Sequence, residues 1–489
     1  MVLGMAKSSQ GQVQASRPAH HPNLVLFVLC LAAFMASLDV FIVNVAFEDI
    51  GHDFRVQLSD LSWILNAYTI IYAALLVPAG RIADRFGRKG AFMVGLGLFT
   101  AASAACAATD GVWWLVAFRG VQSVGAALLT PASLGLVIGA APAEHRTRSV
   151  RIWAASGAFA AALGPVIGGL LVEASWRWVF LVNVPVGVAA LVATAVIVPR
   201  MRIEAAKQLP DALGAMLLIV AIGALTLGLV QGTDWGWTDP RILAAWAVTL
   251  VALCGFLISS SRHSAPVIDA ALLRVRTFTW SNVTALLFSV PFAAALLANI
   301  LWLQQIWHYS AVRTGFAVAG GPALVPPFTL LAHRLAHRIP IGWIVAVGSV
   351  MYGASTLYTS LTVTAHPNYA TSILPSLLLG GAGVGFALPA ILSSATTDLQ
   401  PAQSATGSAI VNMSRQLGTA LGVSIFVAIV GNPVGYQAAH SVFQHAWWTL
   451  AAVGVVAAVA APAMTPKSRG TASSAPAQAV SEDKAGSPT

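Results

Sequence analysis

Charge is what this chain has least of. Only 9% of its 489 residues are Asp, Glu, Lys or Arg, against 57% hydrophobic ones, and the mean hydropathy is +0.78. A soluble domain normally carries about a quarter charged residues, so this composition excludes a water-soluble globular protein. Cysteine is nearly absent: Cys30, Cys106 and Cys254 all fall in apolar runs without paired spacing. That pattern implies neither a disulfide framework nor a metal site. There is no metal-spaced His cluster, no nucleophile motif and no Gly-x-x-x-x-Gly-Lys phosphate loop. The residues therefore predict no enzyme, no cofactor and no direct use of ATP. Carboxylates are missing from the C-terminal apolar runs, which leaves Arg415 without a partner there, and Asp398 sits at a link.

What the chain does have is long apolar runs, at 24–47, 61–79, 90–108, 112–139, 150–172, 178–198, 211–231, 241–260, 279–303, 315–332, 341–362, 369–392, 405–430 and 445–464. A bilayer core needs about 20 apolar residues per helix, so the runs predict about fourteen membrane spans. The run at 315–332 is interrupted by Gly320-Gly321-Pro322 and Pro326-Pro327, which a membrane helix tolerates where neighbours supply partners. The first run is too long for a signal peptide, carries Asp39, and leads straight into further spans. From Pro466 onward the composition is Ser, Ala, Pro and charge without periodicity, which reads as a disordered tail.

Charge placement gives the topology. With both termini cytoplasmic, Arg81, Arg85, Arg88, Lys89, Arg146, Arg148, Arg151, Arg200, Arg202, Lys207, Arg262, Arg274, Arg276, Arg334 and Arg338 all fall inside, together with the basic residues of both tails. Only Arg55, Arg177, Arg241 and Arg313 fall outside. This is the positive-inside asymmetry of a multi-pass protein of the cytoplasmic (inner) membrane. The net charge of +9 is scattered over many short loops and so reads as topology, with no nucleic-acid surface.

The stretch Gly80-Arg81-Ile82-Ala83-Asp84-Arg85-Phe86-Gly87-Arg88-Lys89-Gly90 packs five charges and three glycines between two apolar runs. It predicts a tight cytoplasmic turn, with glycines at the bends and Asp84 near the positive start of the next helix. A degraded copy, His333-Arg334-Leu335-Ala336-His337-Arg338-Ile339-Pro340, keeps both arginines and the alanine in register, but its Gly and Asp are gone. An internal repeat of this kind predicts two parallel halves that alternate access.

The Gly80 segment resembles the signature loop between the second and third helices of the major facilitator superfamily. Four further elements resemble its fourteen-helix drug:proton antiporter branch: Leu38-Asp39-Val40-Phe41-Ile42-Val43-Asn44-Val45-Ala46; Arg119-Gly120-Val121-Gln122-Ser123-Val124-Gly125-Ala126-Ala127; Gly164-Pro165-Val166-Ile167-Gly168-Gly169; and the run from Trp176 to Gly187. Leu303-Gln304-Gln305 and Ser414 to Gly422 are similar to it as well. The resemblance implies an all-α integral membrane protein with two six-helix bundles and two inserted central helices. Its parts would be a tail at 1–23, bundles at 24–200 and 263–465, the inserted pair at 201–262, and a tail at 466–489. It implies proton-coupled efflux of drugs or antibiotics by alternating access, powered by the proton gradient, in a monomer. A dedicated exporter of one endogenous metabolite, such as a self-made antibiotic, is the alternative.

Residue chemistry points to a site within these elements. Asp39 lies mid-run, where an intramembrane charge costs at least about 2.5–3.5 kcal/mol. It is suited to exchange a proton, in competition with a lipophilic cationic or neutral substrate, and Arg119 is its natural counter-ion. The same two residues would equally serve as a structural pair between helices. In the link, Gly80, Asp84, Arg85, Gly87 and Arg88 are the gating candidates, and Asp84 alternatively acts as a helix cap. Gly164, Pro165, Gly168 and Gly169 permit close helix approach and a seal against leaks. Asn44, Gln122, Gln304, Gln305 and Arg415 are expected to line the substrate cavity, while Trp307 and His308 are expected at the membrane interface.

Overall fold

A computed structural model of the chain describes residues 22–199, 209–400 and 403–466. The tails expected at 1–23 and 466–489 lie almost wholly outside the described residues. So does the boundary between the first bundle and the inserted pair, with Arg200, Arg202 and Lys207.

Among the described residues, fourteen helices are long and apolar enough to cross a membrane. We number them α1 (Pro22–Val45), α2 (Leu58–Phe86), α3 (Arg88–Ala107), α4 (Val112–Ala140), α5 (Arg146–Val172), α6 (Trp178–Ile197), α7 (Ala212–Trp235), α8 (Pro240–Arg262), α9 (Arg276–Ile306), α10 (Ala311–Leu335), α11 (Ile341–Thr362), α12 (Tyr369–Thr397), α13 (Ser404–Val430) and α14 (Tyr436–Met464). Their starts are chemically marked in several places. Asp211 accepts from the Gly214 amide at 2.7 Å before α7, and Asp239 accepts from the Arg241 amide at 2.8 Å with Pro240 in the first turn of α8. Both caps satisfy amides that a helix start leaves unpaired.

Two bounds depart from the sequence reading for physical reasons. Helix α14 begins at Tyr436, well before the apolar run at 445, because Tyr436, Phe443 and Trp447 pack their rings around the buried Trp302 of α9. Helix α2 runs on to Phe86, through Gly80, Arg81 and Asp84. Only Gly87 turns the chain, at φ +103°, a conformation that glycine reaches without strain.

The first six and last six spans share one packing plan. In each set the first helix packs on the fifth, the second on the fourth, and the third on both the fourth and the sixth. The correspondence reaches individual residues. A Cβ built on Gly95 of α3 would lie 2.8 Å from the carbonyl oxygen of Gly125 on α4, and one on Gly348 of α11 would lie 2.7 Å from that of Gly383 on α12. The protein is thus an all-α membrane protein of two six-helix bundles. Between bundles, α2 packs on α13 and α5 on α10. The inserted α7 pairs with α8 and touches both α2 and α13, one helix from each bundle. Helix α8 buries only Ile242, Ala245, Ala252 and Phe256, so most of its apolar surface is left to lipid.

Candidate functional site

Asp39 and Arg119 are both fully buried and form an ion pair between α1 and α4. The rest of the cage converges on the same carboxylate. Gln122 Nε2 donates to Asp39 Oδ1 at 2.9 Å, and Asn183 Nδ2 donates to the same oxygen at 3.1 Å. Both amides also donate to Ser103 Oγ, at 2.8 and 3.0 Å. Arg119 Nη1 donates to Gln122 Oε1 at 2.7 Å, its Nε donates to the Ile64 carbonyl at 3.3 Å, and its guanidinium lies 4.1 Å from the centre of the Tyr68 ring. Five helices, α1, α2, α3, α4 and α6, meet at one charge pair. A charge pair at this depth is tolerable only with such added hydrogen bonds. Asn183 opens the longer segment of α6, Asn183–Ile197, which follows the short turn Trp178–Leu181.

One end of the molecule carries the Gly87 turn, and we call it the link end. There Arg88 Nε donates to Asp84 Oδ1 at 2.8 Å across the turn, and Nη1 donates to the Gly135 carbonyl on α4 at 3.1 Å. Lys89 Nζ donates to the Ala195 and Val198 carbonyls at 2.9 and 2.7 Å, tying α3 to the end of α6. The expected cap role of Asp84 is corrected: it lies in the last turn of α2, and Gly87 occupies the cap position of α3. Gly80 and Gly90 lie within helices instead of at bends, and Arg85 stacks its guanidinium 5.7 Å from the Phe86 ring.

At the far end the two bundles are in tight contact. Gly164 and Gly168 lie against Phe41 and Ile42 of α1, while a Cβ on Gly169 would meet the Ala311 carbonyl of α10 at 2.5 Å. Gly315 in turn faces the Pro165 carbonyl with no space for a Cβ. Burial follows the same gradient. On α5, Ala160, Gly164, Pro165, Gly168, Gly169 and Val172 are buried, whereas toward the link end only Ser149 is. On α10 the buried residues likewise cluster at Thr314 to Gly321, with Ala332 alone beyond. Helices α5 and α10 therefore touch at the far end and splay toward the link end.

The family model for the Major Facilitator Superfamily matches residues 29–423. The chain belongs to that superfamily. It is 32% identical over 409 residues to the methylenomycin A resistance protein of Bacillus subtilis, covering 83% of this chain and 87% of that protein. It is 31% identical to the tetracenomycin C resistance and export protein of Streptomyces glaucescens, covering 90% of this chain and 81% of that one. A solved D-xylose-proton symporter superposes with a TM-score of 0.66 at 15% identity, over 92% of this chain and 99% of the symporter. That likeness speaks to the fold.

Within this superfamily member, the cavity residues expected from sequence do not share one wall. Gln122 is fully buried in the Asp39 cage and lines nothing. Asn44 turns its Nδ2 back to the Val40 and Phe41 carbonyls of its own helix, at 2.9 and 3.3 Å. Gln304 is buried and donates to the Val45 carbonyl at 3.0 Å, so it joins the bundles at the far end. Gln305 is exposed and lines a far-end cavity of about 710 Å³ with Glu48, His308 and Tyr436. Trp307, expected at the interface, is buried and donates its indole N–H to the Thr364 carbonyl at 2.8 Å. His308 is exposed, with a left-handed φ of +53°, just after the π-helical turn Trp302–Ile306. Arg415 lies on α13, across from Tyr72 of α2.

Sequence reasoning missed Ser103, Tyr68 and Asn183 as cage members. Asn183 stood inside a recognised run, and a polar amide among apolar neighbours was its signal; Ser103 and Tyr68 carry no local signal. Asp53 was missed as well. The Trp176 indole and the Arg177 guanidinium both donate to its Oδ2 at 2.9 Å, and these bonds hold its carboxyl below the ordinary Asp range.

Proposed function

We propose that this chain exports lipophilic small molecules from the cytoplasm in exchange for protons. The observation that carries the reading is the Asp39 cage: a buried carboxylate whose partners come from five helices. A proton arriving on Asp39 removes the ionic partner of Arg119 and turns one acceptor oxygen into a donor. The cage must then re-pair, and its five helices shift together, because a buried guanidinium left alone is strongly disfavoured.

The basic residues at the link end argue that this end faces the cytoplasm. Helices α5 and α10 are then apart on the cytoplasmic side and in contact on the outside, an arrangement that admits substrate from within between them, while α2 and α13 stay packed. Rocking would open the Gly169–Ala311 and Gly315–Pro165 contacts and bring the Arg88–Asp84 turn against the second bundle. Each proton moved inward supplies about 2.3 kcal/mol per 100 mV of membrane potential. The resistance and export relatives support export as the direction. In this reading the protein works as a monomer without cofactor, because each chain holds both bundles and its own proton site.

The test is drug-driven proton movement in proteoliposomes, measured with an internal pH dye over a panel of lipophilic anions, neutral compounds and cations. Substrate-dependent proton flux that disappears in Asp39→Asn supports antiport. Uphill export that ignores a protonophore and survives Asp39→Asn would refute it.

A further inference from the structure

Arg415 stands near the middle of α13 without a counter-charge. Its Nε is buried with no hydrogen-bond partner, and no carboxylate forms an ion pair with it among the described residues. The sequence explains why. After α8 the only carboxylates are Asp269, Asp398, Glu482 and Asp483. Asp269 caps a short helix by accepting from the Ala271 amide, and Asp398 sits at the end of α12, accepting from Thr277. Neither lies at the depth of Arg415. The one carboxylate buried within the first bundle is Asp39, already satisfied by Arg119, Gln122 and Asn183.

The surroundings suit a ligand group. Helix α13 packs on α2 across the seam between bundles, where Arg415 and Tyr72 lie near each other. Tyr72 bonds Thr130 of α4 at 3.2 Å and stacks on Tyr68, the ring beneath Arg119. A line of side chains thus runs from the proton cage to Arg415. A guanidinium stays charged under all relevant conditions and offers a fork of donors that matches a carboxylate. An unpaired intramembrane charge marks a functional position with a partner to be named, and among the described residues no carboxylate supplies that partner.

We propose that the transported molecule supplies it: the cargo is a lipophilic acid whose anionic group, a carboxylate or an enolate, pairs with Arg415 beside Tyr72. This rests on the exporter reading and replaces the expectation of a cationic substrate.

The test uses the purified full-length protein and two probes, 1-pyrenebutyric acid and its neutral amide, with binding read by quenching of the protein's tryptophans. Work at pH 7.5 and 8.5 keeps the acid ionised in both conditions. The acid should bind roughly 10- to 100-fold tighter than the amide, the range of a charge-assisted hydrogen-bonded pair. Arg415→Gln should abolish that advantage, with a thermal melt close to that of wild type showing that the variant is folded. Arg415→Lys should keep only part of it, since a point charge cannot reproduce the fork. Equal binding of acid and amide, or an advantage undiminished in either variant, overturns the proposal. Because binding is measured without a gradient, failure of antiport leaves this result standing. Proton-coupled export with no acid preference would defeat this inference alone.

Discussion

Gly315 on α10 lies against the carbonyl of Pro165 on α5 so closely that no Cβ fits between them, and Gly169 stands in the same relation to Ala311. The two contacts are reciprocal, glycine from each bundle meeting backbone from the other. Backbone-to-backbone approach of this kind gives a membrane protein its packing energy where the hydrophobic effect between helices is absent.

Gly169→Val therefore shifts the population toward an open far end. Overpacking typically costs about 1–3 kcal/mol, enough to change the ratio of states by about fivefold to more than a hundredfold. The check is labelling of a cysteine placed at Val45, now fully buried, by an impermeant maleimide after Cys30, Cys106 and Cys254 are changed to Ser. The rate should rise in the Gly169→Val background; an unchanged rate would mean that the closure does not depend on this contact.

Removing the cage anion costs more than altering it. Asp39→Ala leaves Arg119 fully buried without its partner, and breaking a buried pair in this way costs about 3–5 kcal/mol. Asp39→Asn keeps an amide oxygen for Gln122 or Arg119 and should unfold nearer to wild type while losing proton exchange. Thermal unfolding in detergent should rank wild type above Asp39→Asn and Asp39→Asn above Asp39→Ala. If Asp39→Ala melts with wild type, the cage does not hold the first bundle together.

The architecture was legible because bilayer chemistry writes it in runs: each predicted span overlaps a helix, and even the interrupted run at 315–332 forms α10. Asp39 and Arg119 were legible as a pair because intramembrane charges are few. The cavity residues were not. Gln122 and Gln304 looked like lining groups, yet a buried amide is drawn to whichever donor or acceptor the neighbouring helices leave unsatisfied, and helix rotation is invisible in composition. Asp84 was misassigned to a helix start because three glycines suggested three bends, while only Gly87 has the positive φ that requires one.

The Arg88–Asp84 pair should matter little for stability. Its side chains are 27% and 42% exposed, and exposed pairs contribute about 0–1 kcal/mol. Gly135→Leu is the stronger change, because a Cβ there would lie 2.5 Å from Arg88 Cδ and displace the arginine from the α4 carbonyl it holds. Asp84→Asn should leave the melting temperature within a degree or two of wild type, and Gly135→Leu should lower both the melting temperature and transport. A large melting loss in Asp84→Asn would contradict this ranking.

Two carboxylates on the short helix Phe47–Phe54 respond to pH in opposite senses. Burial, reinforced by Asp49 and partly offset by His52, raises Glu48 above its ordinary value of 4.5, so folding favours its neutral form. Below pH 4.5 that group costs the fold nothing, and the penalty enters as pH rises through its folded pKa. Asp53 is lowered from 3.8 by hydrogen bonds from Trp176 and Arg177, so its contribution is present above that value and is lost as pH falls through its folded pKa. Both groups face water in part, which keeps each effect below about 1 kcal/mol. Glu48→Gln should thus raise thermal stability at pH 7.5, with the gain vanishing at pH 4, while Asp53→Asn should lower it at pH 7.5, with the loss shrinking as the buffer becomes more acid than pH 4. Melting curves of the two variants against wild type at pH 7.5 and pH 4, extended for Asp53→Asn to about pH 3, test the signs directly. A Glu48→Gln gain that persists at pH 4 would mean that the carboxylate's charge is not what the fold pays to bury.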